Sequence, residues 1–410
     1  MSPSPAASAA TPASDALDRL IIRDAKASDP PAGTIIVLDD HTGSLTAWAM
    51  ERVKAWGSGA VLVRCRDLRE ARAVERLAEA QSAEAQNNEA QSADVPVTIA
   101  GLDGAPGSLE EFLATHVKQQ PVLAIGRLPK ALSALEEWAT GCARHGVPRL
   151  ILGGVNKHMT KSMNAVMERF FSVVHGLRGK GKNRCLEATV PKDGVQAYEP
   201  ATQRYCGATL HGHGGVFSGA KPDRGGQALA AAALQWLERA GTIRDGSGSG
   251  TGNGSSTSDG NGASGAGRSH LNIVDLGCGN GTVTAAMLAS GHTGMRIAAT
   301  DVDLDAVLSA SGAMEGNSAV TVTWDDAAGA LEAETQDLVL LNPPFHEGTR
   351  IDPTLVQPLL DASARLLRPG GTLLFVHNAH LRYRPVVEQR FGTVIQVSRD
   401  ATFTVLEATR

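Results

Sequence analysis

Asn342-Pro343-Pro344-Phe345 places two fixed hydrogen-bond acceptors beside an aromatic ring. The Asn342 side-chain oxygen and the Pro343 carbonyl can each accept one N–H from an amino group on a planar ring, and Phe345 can stack on that ring. The two prolines hold φ at successive positions, so the loop is stiff before a substrate arrives. Asn-Pro also marks ordinary turns. The tetrad therefore needs its surroundings to give it meaning.

Those surroundings are strand ends. The apolar run Asp337-Leu338-Val339-Leu340-Leu341 reads as a buried strand feeding the tetrad. Upstream, Ile273-Val274-Asp275-Leu276 leads into Gly277-Cys278-Gly279-Asn280-Gly281 and an apolar-periodic stretch from Thr282 to Ala289, which reads as strand, glycine loop and helix. Alternating glycines let a backbone approach a ligand that a Cβ would exclude. The spacing is a tight G-x-G-x-G and differs from the dinucleotide G-x-G-x-x-G, which argues against a nicotinamide dehydrogenase. Asp275 can hold a ligand ammonium. A second strand from Met295 to Thr300 ends in Asp301, at the spacing where an acid bonds ribose hydroxyls in nucleotide folds. A third, Val320 to Thr323, ends in Trp324-Asp325-Asp326, where one acid can accept from an adenine amino group.

With these residues in place, 271–410 resembles a class I S-adenosylmethionine-dependent methyltransferase. The longer string Asn342 to Phe345, His346, Glu347, Gly348 is similar to that of the ribosomal RNA guanine-N2 methyltransferases of the RsmC/RlmG-like family. Gly215-Val216-Phe217-Ser218, Pro222-Asp223 and His377-Asn378-Ala379-His380-Leu381-Arg382-Tyr383 extend the likeness, and the segment from Phe391 to Leu406 fits a terminal hairpin. The resemblance implies S-adenosylmethionine as cofactor, held by Asp275, Gly277, Gly279, Gly281, Asp301, Asp325, Asp326 and Asn342. It implies catalysis by Asn342, Pro343 and Phe345. Since the methyl donor is already activated, no strong base is required; His346 either carries the released proton away or positions the loop and contacts RNA.

Composition agrees. The chain has 410 residues, room for two domains, with 42% hydrophobic and only 4% aromatic residues, so its cores rest on Ala, Val and Leu. The five cysteines share no metal-ligand spacing, which predicts reduced thiols, no metal and a cytoplasmic protein; Cys278 reads as a small filler of the glycine loop. No run approaches the ~20 apolar residues of a membrane span. Residues 1–20, rich in Ser, Ala and Pro, read as a disordered tail.

The expected fold class is α/β, with two tandem Rossmann-like class I methyltransferase domains, the N-terminal one degenerate. The first is expected at 21–192 and the second at 196–410. The Gly/Ser-rich tract 245–267 is an insertion in the second, because the helix from Gly226 to Arg239 already belongs there, and loop closure cost rises slowly with length. Residues 81–94 read as a surface loop or helix extension. In the first half, Thr34–Leu38, Ala60–Val63, Pro121–Ile125 and Leu150–Leu152 read as strands. After the first of them comes Asp39-Asp40-His41-Thr42-Gly43, where the acids remain and the close-approach glycines do not. A silent copy serving substrate recognition follows from the resemblance. The Asn156–Lys161 segment and the run Arg178 to Arg184 carry Lys157, Lys161, Arg178, Lys180, Lys182 and Arg184, which with Phe345 and His346 are the candidate RNA contacts. Net charge is −5, so any positive field must be local. Gly126-Arg127-Leu128-Pro129-Lys130 resembles the family without a physical reading of its own.

The expected function is methyl transfer to the exocyclic N2 of guanine in ribosomal RNA, by a monomer working on RNA or a ribosomal subunit. An RNA adenine-N6 methyltransferase would use the same acceptor pair. A protein glutamine-N5 methyltransferase would as well, although those usually carry Tyr at the position of Phe345. A non-catalytic RNA-binding or ribosome-assembly factor would not need the intact glycine loop.

Overall fold

The computed structural model describes residues 14–27, 30–87, 95–105, 107–240, 270–344, 346–347, 350–351 and 356–410. The expected insertion at 245–267 and Phe345 lie outside them. The chain divides into two compact units. One holds the described residues up to Pro200 with His213–Val216 and Asp303–Leu308; the other holds Ala201–Gly212, Phe217–Val302 and Ser309–Arg410.

In the first unit the elements run α1 (Ala16–Ala25), β1 (Gly33–Leu38), α2 (Ser44–Trp56), β2 (Gly59–Arg64), α3 (Leu68–Asn87), β3 (Val97–Ile99), α4 (Leu109–His116), β4 (Pro121–Arg127), α5 (Leu132–Arg144), β5 (Arg149–Val155), α6 (Lys161–Glu168), β6 (Phe171–Gly176) and β7 (Asn183–Pro191). Its sheet has the order β3-β2-β1-β4-β5-β7-β6. The first five are parallel, and β7 pairs antiparallel with both β5 and β6. β1 is buried at every position, as a central parallel strand covered by helices on both faces must be.

Residues 16–20, expected in the tail, instead form the first turns of α1. Asp15 caps that helix by accepting from Leu17 and Asp18 N–H, and Leu20 and Ile21 are buried. The Ala- and Ser-rich residues just before it hid this cap. Residues 81–87 continue α3, so this stretch is a helix extension and not a loop.

The second unit begins with the hairpin β8 (Ala201–Tyr205) and β9 (Ala208–Gly212), followed by α7 (Arg224–Arg239), β10 (Leu271–Leu276), α8 (Thr282–Leu288), β11 (Met295–Asp301), α9 (Leu304–Ala313), β12 (Val320–Trp324) and β13 (Gln336–Leu341). Then come the two-residue strands β14 (His346–Glu347) and β15 (Arg350–Ile351), α10 (Gln357–Leu366), β16 (Leu367–Asn378), α11 (Arg384–Glu388), β17 (Thr393–Arg399) and β18 (Phe403–Thr409). The main sheet has the order β12-β11-β10-β13-β16-β18-β17, the same winding as the first. The expectation of two tandem doubly wound α/β units, the last two strands forming a hairpin, is met. α7 packs through Leu229, Ala233 and Leu237, one apolar stripe at helical spacing.

Candidate active site

Four parallel neighbours of the second unit, β10, β11, β12 and β13, open toward the same side of the sheet. Leu276 is paired with Thr300 on one side and Leu341 on the other. Gly277, Asp301 and Asn342 therefore leave adjacent strands at matching heights, however far apart they are in the chain. In open α/β sheets, ligands bind outside these carboxyl ends.

The three glycines do different things. Gly277 (φ +79°) and Gly279 (φ +56°) face open space: a Cβ at either would meet no protein atom within 4 Å. Gly281 caps α8 in the left-handed region, and a Cβ there would press on Met314 at 3.1 Å. Two glycines thus clear room for a ligand, and the third serves packing. Cys278 is buried, and burial pushes its thiol well above the ordinary range, so it is a filler and no nucleophile.

The acids frame this loop. Asp301 Oδ2 accepts the Gly279 N–H at 2.9 Å, holding the loop against β11. Asp275 is buried and accepts from Thr284 Oγ1 at 2.7 Å. Burial, reinforced by the Asp301 charge, pushes the Asp275 carboxyl up to about 6 against the pull of Thr284. A cation nearby would bring it down again. Asp325 is half-buried, and its Oδ2 accepts the Ala330 N–H at 3.0 Å, whereas Asp326 is exposed. Between them and Gly329, Ala327 and Ala328 are held at φ +51° and +52°, a backbone shape that costs energy in any residue with a Cβ.

Asn342 follows β13 and is tied by its side chain. Its Nδ2 donates to Asp223 Oδ2 at 2.7 Å. Pro343 is buried and Pro344 exposed. His346 lies on β14, paired with Ile351; its side chain lies outside the described residues.

The family model described as Methyltransferase small domain matches residues 266–407. A ribosomal RNA large subunit methyltransferase G from Alcanivorax borkumensis is 28% identical over 70% of this chain and 67% of its own length. Its namesake from Streptomyces avermitilis is 26% identical over 97% of this chain and 92% of its own. Among solved structures, the T. thermophilus 16S rRNA N2 G1207 methyltransferase (RsmC) in complex with AdoMet and guanosine superposes with a TM-score of 0.64 at 22% identity, covering 97% of this chain and 92% of that one. Over nearly its whole length the chain is similar to methyltransferases of the RsmC/RlmG type.

The two units differ at these same strand ends. Leu38 pairs with Arg64 and Gly126 as Leu276 pairs with Thr300 and Leu341. Gly43 caps α2 at φ +78° as Gly281 caps α8 at φ +82°. By this register the position of Asp275 holds Val37, that of Gly277 holds Asp39, that of Gly279 holds His41, that of Asp301 holds Cys65 and that of Asn342 holds Arg127. The acids expected to persist in the first copy are therefore not the ligand-facing ones. Asp39 accepts the Arg66 N–H and Asp40 the Thr46 N–H, so both serve local backbone. A sequence reading aligned to the nearest acids cannot see this two-residue offset; the sheet register can.

Both expected RNA segments meet in the first unit. Val155 pairs with Asn183 across β5 and β7, and the Asn156 N–H donates to the Lys182 carbonyl at 2.8 Å. Lys180 and Asn183 close a tight turn through Gly181 at φ +62°. Lys157, Lys161, Arg178, Lys180, Lys182 and Arg184 are all exposed, and among the described residues no acid pairs with them. Also among the described residues, no His, Cys, Asp or Glu cluster could hold a metal, and no helix is long and apolar enough to cross a membrane.

Three residues of the site were not singled out by the sequence. Asn280 Nδ2 donates to the carbonyls of Gly219 and Lys221 at 2.8 and 2.9 Å, and Thr282 Oγ1 accepts the Asp223 N–H at 3.2 Å. Asp223 appeared only within the family likeness. Its position before a helix signals a cap, and nothing more local could reveal its contact with Asn342.

Proposed function

We propose that this chain uses S-adenosylmethionine to methylate the exocyclic N2 of a guanine in ribosomal RNA. The observation that carries the reading is the pairing of β10 with β13, which sets the cleared glycine loop beside Asn342-Pro343. The names of the relatives support ribosomal RNA as substrate, and that of the RsmC structure supports guanine N2.

The residues suit the cofactor. Gly277 and Gly279 leave space that a Cβ would fill, and Asp275 is a buried carboxylate short of positive charge. Asp301 and Asp325 are proposed to receive the ribose hydroxyls and the adenine amine. When bound, S-adenosylmethionine supplies a methyl group already activated on sulfur.

The remaining work falls to Asn342 and Pro343. A ring amine is a weak nucleophile because its lone pair is delocalised. Hydrogen bonds from its two N–H groups to Asn342 Oδ1 and the Pro343 carbonyl favour a pyramidal nitrogen and stabilise the positive charge that develops there. Alignment supplies much of the rest. Phe345 is proposed to stack on the target base, which in a duplex must first leave the helical stack. Lys157, Lys161, Arg178, Lys180, Lys182 and Arg184 are proposed to hold RNA phosphates, with a ribosomal subunit or its free RNA as partner, and His346 to order the tetrad loop. The protein is proposed to act as a cytoplasmic monomer. Its five cysteines are unbridged, which suits that compartment.

Incubation with labelled S-adenosylmethionine and unmodified ribosomal RNA or subunits, followed by nucleoside analysis, tests this. N2-methylguanosine is the expected product. N6-methyladenosine would move the target base, and label in protein alone would overturn the RNA assignment.

A further inference from the structure

We infer that Asp223 is a positioning residue that sets which face of the Asn342 amide the substrate meets. This rests on the methyl-transfer reading above. An asparagine side chain is nearly symmetric in shape: its oxygen and its NH2 group exchange places by a half-turn. Only one orientation offers an acceptor to a substrate amine. Something must choose it.

The Asp223 carboxylate can make that choice. Its Oδ2 accepts the Gly226 N–H at 2.7 Å, capping α7, and accepts Asn342 Nδ2 at 2.7 Å. An ionised carboxylate only accepts, so a turned amide would bring two oxygens to the same distance with no proton between them. Asn342 Oδ1 lies beside Gly225, where a Cβ would come within 2.9 Å of it, and no described group donates to it. Asp223 is also indexed to the cofactor loop, because its own N–H is bonded to Thr282 and the preceding carbonyls of Gly219 and Lys221 to Asn280. One residue therefore ties the acceptor to the glycine loop.

The first unit gives an internal comparison. There the cap of α1 is Asp15, and its Oδ2 accepts Arg127 Nη2 at 2.6 Å. Arg127 occupies the place of Asn342 at the end of β4. The fold thus keeps a cap carboxylate against this strand end in both copies. In the first copy the residue it holds is a guanidinium, which has donors and no acceptor, so no ring amine can be received there. In the second it is an amide, and the carboxylate takes the NH2 group and leaves the oxygen as an acceptor.

Asp223→Ser tests the idea, because serine caps a helix as well as aspartate, while its shorter hydroxyl can donate as well as accept and so does not dictate the direction of the amide. The variant should melt with wild type and bind S-adenosylmethionine within about two-fold by calorimetry, while kcat falls at least ten-fold with KM for RNA little changed. Asn342→Asp alone sets two carboxylates together and should be slower still. A wild-type kcat in Asp223→Ser, or a loss that follows cofactor affinity or melting, would overturn the inference. One readout needs no substrate: the Asn342 side-chain NH2, assigned in NMR spectra by its loss in Asn342→Asp, should exchange slowly in wild type and fast in Asp223→Ser. Fast exchange in wild type would overturn the orientation role even if no RNA were methylated. A wild-type enzyme inactive on ribosomal RNA with a protected amide would instead count against the substrate assignment alone.

Discussion

Gly279→Ala separates a glycine kept for its ligand from one kept for its backbone. At φ +56° an alanine is strained, at about 1–2 kcal/mol for a left-handed residue. The added Cβ meets no protein atom within 4 Å, so no packing penalty accompanies the strain. Gly316 offers a matched control in the same unit: its φ is +76°, and a Cβ there also meets nothing within 4 Å. Both alanine variants should therefore lose about 1–2 kcal/mol of stability, or about 2–4 °C in Tm for each kcal/mol. They should differ in the cofactor. A methyl group forced into occupied, well-packed space costs about 1–3 kcal/mol, and each 1.4 kcal/mol is ten-fold in affinity. Isothermal calorimetry should show Gly279→Ala binding S-adenosylmethionine about five-fold to 100-fold more weakly and Gly316→Ala unchanged. Equal affinities in the two variants would refute the view that the space above Gly279 belongs to a ligand.

Asn342→Ala should lower methyl transfer at least ~10²-fold, the scale of losing one oriented charge-stabilising group, while cofactor affinity stays within a few-fold; both are read by single-turnover transfer and calorimetry. Asp275 carries a pH signature: its folded value of about 6 stands above the ordinary 3.8, so between those values the folded state retains a proton that the unfolded state releases. Stability of the cofactor-free protein is therefore lost as pH rises through that window, by roughly 3 kcal/mol at most, and Asp275→Asn should raise Tm above pH 6 and leave it unchanged below pH 4 while weakening cofactor binding. Replacing Arg178, Lys180, Lys182 and Arg184 by alanine should raise KM for RNA with little effect on kcat at saturation. It should also reduce the slope of log affinity against log salt by about 0.7–0.9 for each phosphate that is no longer neutralised.

The parts of the site legible in the sequence are those whose chemistry is local. A run of buried β-residues ending in glycine, an acid or Asn-Pro announces its own conformation, and β10, β11, β12 and β13 all formed where those runs lay. The tail boundary was less legible because Asp15 and the Leu17–Ile21 stripe sit behind an Ala/Ser-rich stretch that conceals one helical turn. In the first copy, Asp39 and Asp40 suggested retained ligand acids. Their side chains answer to neighbouring backbone N–H groups, and only strand pairing shows Val37 and Cys65 in the ligand-facing places.

The sequence by itself determined that a cleared glycine loop, strand-end acids and an amide-prolyl acceptor pair exist, because each depends on residues adjacent in the chain. Tertiary structure decided that the loop and the acceptor leave paired positions of neighbouring strands, that Arg127 stands where Asn342 does, and which way the Asn342 amide faces. The last depends on a carboxylate 119 residues away, brought within 2.7 Å by the packing of α7 on the sheet. A polar side chain takes its direction from its partner, and partners distant in sequence become neighbours only when the chain folds.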